Sequence, residues 1–155
     1  AVSDPAVADR LGERWMLFYT GVTRQAQGVL APQRAAIERN RERLRRMAEQ
    51  AAVGREMLRD GRFDDFGLLL GEAWQLKRGL DEGITTPVID RMYDRALEAG
   101  AVGGKLAGAG GGGFLLVYCP PERQADVRAA LAGVRELEFR PEREGSLVLM
   151  HSRRR

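Results

Sequence analysis

The segment GGKLAGAGGGGF, residues 103–114, places seven glycines in twelve positions. Glycine takes positive φ freely, and it loses more backbone freedom on ordering than any other residue. Such a segment holds one shape only if regular structure grips both of its ends. An amphipathic helical pattern precedes it: Ile89, Met92, Tyr93, Ala96 and Leu97 recur at three and four, and Gly100 ends the repeat. A short strand candidate spans 101–106, and GFLLVYC (113–119) is an uninterrupted apolar strand. The glycines are therefore expected to join two neighbouring strands.

The rest of the chain supplies partners for those strands. RWMLFYTG (14–21) reads as a strand ending at Gly21, followed by a short helix in TRQAQGVLA. Pro32 suits the first turn of a further helix running to Asp60, with Ile37, Leu44, Met47, Ala48, Ala51 and Leu58 on one stripe and Gly61 as its stop. A second long helix is expected over 62–80. Its stripe is Phe66, Leu69, Leu70, Ala73, Leu76 and Leu80, and Gly67, Gly71 and Gly79 imply a closely packed neighbour. DEGITTP (81–87) reads as a loop whose Thr86 caps the next helix, with Pro87 at its first position. A helix from Pro121 to Gly133, a strand in VRELEFR, a turn at 142–145 and a last strand SLVLMH complete the order. With the two long helices set aside, the order is βαββαβ. The expected fold is one α+β domain over 1–155: a ferredoxin-like core carrying inserted long helices, with helices on one face of a mainly antiparallel sheet and an extra hairpin strand at the end.

Composition bounds the function. The 155 residues are 44% hydrophobic and 30% charged, with no apolar run long enough to span a bilayer. One cysteine excludes an internal disulfide and makes the cytoplasm the default, and the start lacks a secretion signal. One histidine and one cysteine argue against a zinc site, and no metal ligands are assigned. Every basic residue except Lys77 and Lys105 is arginine, and the formal net charge is +3. The arginines of 39–46 are interleaved with glutamate and lack aromatics, so a solvated helix face is preferred to a nucleic-acid surface.

A tight turn needs one or two glycines, and five of the six residues Gly108, Ala109, Gly110, Gly111, Gly112 and Gly113 are glycine. The second use of such a run is a concavity of bare amide N–H groups facing phosphate oxygens. The common phosphate loop is absent, because Lys105 precedes the glycines. The dinucleotide fingerprint has its spacing here, but a strand follows where a helix is required.

KLAGAGGGGF resembles the third motif of the GHMP kinases, with Ala107 where threonine is common. LFYTGVTRQAQGVL, the stretch from FGLLLGEAWQLKRGL through GGGGFLLVYCPPE, and EFRPEREGSLVL extend the resemblance along nearly the whole chain. They are similar to the C-terminal half of the branch that contains heptose 7-phosphate kinases. The resemblance implies an ATP- and Mg²⁺-dependent kinase acting on a sugar or sugar phosphate, with heptose 7-phosphate and its anomeric hydroxyl as the expected acceptor. The nucleotide loop of the family's N-terminal lobe, of GLGSS type, is not found, so this chain is expected to be the C-terminal lobe, partnered by an N-terminal kinase lobe. No catalytic residue is assigned to it, and it is expected to be inactive alone with no cofactor tightly bound. The glycine run would meet the transferring phosphate or the sugar. Thr20, Gly21 and Arg24 resemble another cleft-facing segment, with Arg24 either binding the sugar's own phosphate or lying free on the surface. Trp74, Lys77 and Arg78 are weaker candidates for the sugar pocket; core packing with a snorkelling lysine is the plainer reading of Trp74 and Lys77. Lys105 either touches phosphate or caps the sheet, and the structural role is preferred. A homodimer is left open, a membrane role is not expected, and nucleic acid is disfavoured because no RNP string appears. The competing class is a non-catalytic ferredoxin-like ligand- or RNA-binding module.

Overall fold

The structure, a computed structural model, describes residues 5–23 and 26–139. The predicted turn at 142–145, the last strand SLVLMH and Arg24 lie outside the described residues. Six helices and four strands are present among those described: α1 (Pro5–Gly12), β1 (Trp15–Tyr19), α2 (Ala26–Ala35), α3 (Ile37–Arg59), α4 (Phe63–Arg78), α5 (Pro87–Glu98), β2 (Gly103–Leu106), β3 (Phe114–Tyr118), α6 (Gln124–Ala130) and β4 (Glu136–Leu137). Short 3-10 turns occupy Glu82–Ile84 and Pro121–Arg123.

The strands form one sheet in the order β2-β3-β1-β4. Every pairing is antiparallel, with Trp15 opposite Tyr118, Tyr19 opposite Phe114, and Gly103 opposite Tyr118. This is the order that a βαββαβ chain gives when each half contributes one central and one edge strand. Alternation then sorts the side chains. Met16, Phe18, Leu106, Leu115 and Val117 point into the core, where they join Trp74, Leu80, Ile84, Ile89, Met92, Val127 and Leu131. Thr86 caps α5 by accepting from the Ile89 amide at 3.3 Å, with Pro87 in the first turn. Helices α3 and α5 end alike: the amides of Arg62 and Ala101 reach back to the carbonyls of Met57 and Ala96 at 2.8 and 3.0 Å.

Three expectations are corrected. Helix α1 was not anticipated. Pro32 lies inside α2, and the break falls at Ala36, so α3 starts at Ile37. The stripes of the two long helices are also misplaced. Ile37 and Leu44 of α3 are exposed, and its buried residues are Asn40 and Gly54. On α4 the fully buried positions are Phe63, Gly67 and Trp74. The reason is that α4 lies along edge strand β2 by its glycine face. A Cβ on Gly103 would sit 2.0 Å from the Gly67 carbonyl oxygen, and one on Gly67 would sit 2.4 Å from the Tyr118 ring. Phe66, Leu69, Leu70 and Ala73 therefore turn toward α3 and line a groove of about 380 Å³ with Met47, Gly54 and Leu58. The outer face of α3 carries ion pairs, Arg41 to Glu38 at 2.6 Å and Arg45 to Glu42 at 2.8 Å.

Candidate functional site

The glycine run leaves the sheet between β2 and β3, and other segments of the chain tie it down. The Ala107 amide still donates to the Phe114 carbonyl at 2.8 Å, extending the hairpin by one rung. The Gly111 amide then donates to the Ile84 carbonyl and the Gly113 amide to the Val22 carbonyl, both at 2.8 Å. The Thr20 amide and hydroxyl both donate to the Gly113 carbonyl at 2.9 Å. Ile84 is presented by the 3-10 turn Glu82–Ile84, which Asp81 closes by accepting from the Gly83 amide at 2.8 Å. Two glycines are demanded by these contacts. A Cβ on Gly110, at φ +121°, would lie 2.8 Å from the Ile84 Cα, and one on Gly112 would lie 2.5 Å from the Val22 carbonyl oxygen.

Other donors of the turn are left without partners. The amides of Gly108, Ala109, Gly110 and Gly112 have no acceptor among the described residues. Ala107 and Gly108 are exposed, Ala109, Gly110, Gly112 and Gly113 are half-buried, and Gly111 is buried. Unpaired N–H groups on a turn with several left-handed residues form a concavity of partial positive charge. A buried amide with nothing to bind costs free energy, and the residues that carry these four are exposed or half-buried.

Two lysines stand beside this turn. Lys77, near the end of α4, donates from Nζ to the Gly108 carbonyl at 2.5 Å. Burial holds its ammonium below the ordinary lysine pKa, and the positive charge of Lys105 pushes it further down. Among the described residues no carboxylate pairs with either lysine.

The other residues singled out from the sequence divide. Thr20 is buried at 6% exposure, and its hydroxyl is spent on the turn's own carbonyl. Gly21 is exposed at φ +71° beside it. Trp74 is 1% exposed and belongs to the core, so its ring offers no surface to a ligand. Arg78 points away to Asp90, with Nη2 2.9 Å from Oδ1, and ties α4 to α5. Sequence reasoning missed Val22 and Ile84, which act through main-chain carbonyls. It also missed Gln33, whose Nε2 donates to the Ala109 carbonyl at 3.4 Å. The only available signal was Asp81 two residues before Gly83, the spacing of a side-chain-closed turn inside DEGI.

Residues 33–135 match the family model described as GHMP kinases C terminal. The chain is 28% identical over 127 residues to the D-glycero-alpha-D-manno-heptose 7-phosphate kinase of Campylobacter jejuni, covering 81% of this chain and 38% of that protein. It is 34% identical over 121 residues to the L-fucokinase/L-fucose-1-P guanylyltransferase of Bacteroides fragilis, covering 75% of this chain and 13% of that protein. Among solved structures, the Methanococcus jannaschii mevalonate kinase superposes with a TM-score of 0.71 at 25% identity, over 86% of this chain and 41% of that one. The chain thus spans well under half the length of these relatives. The matched span runs from α2 to the residue before β4 and contains the whole glycine turn with both of its anchors on α4 and the 3-10 turn. On that match the chain belongs to the GHMP kinases, as the C-terminal domain of that family.

Proposed function

We propose that this domain is one lobe of an ATP-dependent kinase that phosphorylates a sugar or sugar phosphate, with the anomeric hydroxyl of a heptose 7-phosphate as the acceptor. The observation that carries this reading is that the amides of Gly108, Ala109, Gly110 and Gly112 have no acceptor among the described residues while the turn is tied to Ile84 and Val22. Phosphoryl transfer needs charge neutralisation and positioning more than covalent help from the protein. Rigid N–H donors supply both for phosphate oxygens, because they need no reorganisation as charge shifts. The names of the heptose 7-phosphate kinase and fucokinase relatives support a sugar acceptor. The comparisons give no support to a ligand- or RNA-binding module.

ATP, with Mg²⁺, would supply the transferable phosphoryl group, and main-chain N–H donors are of the type that phosphate oxygens accept. No residue of this chain is proposed as a metal ligand or as the base that takes the hydroxyl proton. Those tasks fall to a nucleotide-binding N-terminal lobe, against which the glycine turn would close in the cytoplasm. Gly21 and Arg24, which follow β1 in the sequence, would border the same cleft, with Arg24 pairing with a phosphate already on the sugar.

The purified 155-residue chain should neither hydrolyse ATP nor phosphorylate a sugar. In the enzyme that joins this lobe to its nucleotide-binding half, Gly111→Val should abolish turnover while the circular dichroism of this lobe stays native. Wild-type turnover by that variant would reduce the turn to a connector and overturn the proposal.

A further inference from the structure

We infer that Asp90 is a positioning residue for the glycine turn: one of its carboxylate oxygens holds Thr85 and Arg78 together, and so fixes the peptide group against which Gly110 and Gly111 sit. Its part in phosphoryl transfer rests on the kinase reading; its grip on the turn does not.

The Ile84 carbonyl that accepts from the Gly111 amide at 2.8 Å belongs to the peptide unit joining Ile84 to Thr85. A peptide unit is planar, so whatever holds Thr85 also sets the direction of that carbonyl. Thr85 is held by its side chain: Oγ1 donates to Asp90 Oδ1 at 2.6 Å. The same oxygen lies 2.9 Å from Arg78 Nη2. Three segments therefore meet at one atom: α4 through Arg78, α5 through Asp90, and the extended residue that ends the 3-10 turn. The side chains of Arg78 and Asp90 are 26% and 27% exposed, whereas every other ion pair among the described residues has a partner at least half exposed. Solvent and salt screen this pair less than those on the outer face of α3. The turn is sensitive to where the peptide lies. A Cβ on Gly110 would meet the Ile84 Cα at 2.8 Å and the Ile84 carbonyl oxygen at 2.9 Å, so the two main chains touch. A tilt of the peptide would move Gly110 and Gly111, and the Gly110 amide is one of the four without an acceptor. The plainer role of an acid in the first turn of a helix is to favour its positive end. Helix α5 has Thr86 as its cap and Pro87 in its first turn, and that role would need no hydroxyl at Thr85.

Thr85→Val separates the two roles. It removes the hydroxyl, suits the extended backbone, and leaves Asp90 at the helix end. In the purified chain it should speed hydrogen exchange of the Gly111 amide about tenfold, as expected when one charge-assisted hydrogen bond behind its acceptor is lost. The Gly110 amide resonance should shift as well. The Cys119 amide, bonded to the Arg14 carbonyl beyond the other end of β3, should exchange as in the wild type. Asp90→Ala should act as Thr85→Val does, and Thr85→Ser, which keeps the hydroxyl, should restore wild-type exchange. Gly111 exchange at the wild-type rate in Thr85→Val would overturn the inference and leave the kinase reading intact. In the enzyme with both lobes, assayed well below its unfolding midpoint, Thr85→Val should lower kcat about tenfold while KM for the acceptor stays within about twofold. Fast Gly111 exchange with unchanged kcat would make Asp90 a structural tie and overturn its positioning role. Failure of the kinase reading itself shows separately, as no turnover by the unmodified two-lobed enzyme, and exchange in the purified chain then still decides whether Asp90 holds the turn.

Discussion

Along the seam between α4 and β2, glycine is used for its lack of volume; in the turn that follows β2, it is used mainly for its backbone. Gly67 and Gly103 lie in regular structure, and their main chains meet so closely that a single methyl has nowhere to go. In the turn, Gly108 has open space around its α-carbon and needs glycine only because its φ is +83°. Gly110 and Gly112 combine both demands where they rest on Ile84 and Val22. One residue type therefore closes one part of the molecule and keeps another open. The closed seam fixes where α4 runs, and α4 in turn carries Lys77 to the open turn.

The contrast can be broken by adding single methyl groups. The largest effect should come from Gly103→Ala, whose Cβ would lie 2.0 Å from a main-chain oxygen that cannot move without lifting α4. A loss of about 3 kcal/mol in urea unfolding is expected, enough to unfold a marginal domain. An unchanged midpoint would mean that α4 does not pack on β2 as described. Next come two substitutions inside the turn. Gly112→Ala meets the Val22 carbonyl at 2.5 Å and should cost about 2 kcal/mol. Gly108→Ala meets nothing and pays only for its left-handed backbone, about 1 kcal/mol. Equal losses at the two positions would show that the turn does not rest on Val22.

The smallest effect is one of pH. Burial and Lys105 lower the Lys77 pKa below its ordinary value of 10.5, so in that interval the unfolded chain binds more protons than the folded one. The wild type therefore carries a penalty below the folded pKa, and that penalty is relieved as pH rises through it toward 10.5. Lys77→Met has no such penalty. The stability difference between the two proteins should shift in favour of the wild type as pH is raised, and a flat difference would place Lys77 in ordinary solvent.

Much of the sheet was legible in the sequence, since unbroken apolar runs mark β1 and β3, and Thr86-Pro87 marks the start of α5. The glycine turn was legible as a place because nothing else explains five glycines in six residues. The face of α4 was not. A stripe is read from large apolar side chains, and α4 meets the sheet through residues that have no side chain, which rotates the apparent core by one position toward α3. Trp74 and Lys77 lie on one flank of α4, but the Trp74 ring is buried in the core while the Lys77 amine reaches the Gly108 carbonyl. The anchors Val22 and Ile84 contribute carbonyls, which every residue has, so their identity carried no signal.

The many attachments of the turn bear on how this domain can be rebuilt. Exposed, glycine-rich connections are ordinarily where a chain tolerates cutting, lengthening or circular permutation. Here a single added residue would put the turn out of step with Thr20, Val22, Ile84 and Lys77 at once, since each grips a different point along it. Gly133, also left-handed but with nothing within 4 Å of its would-be Cβ, is the better site for a graft, a tag or new termini.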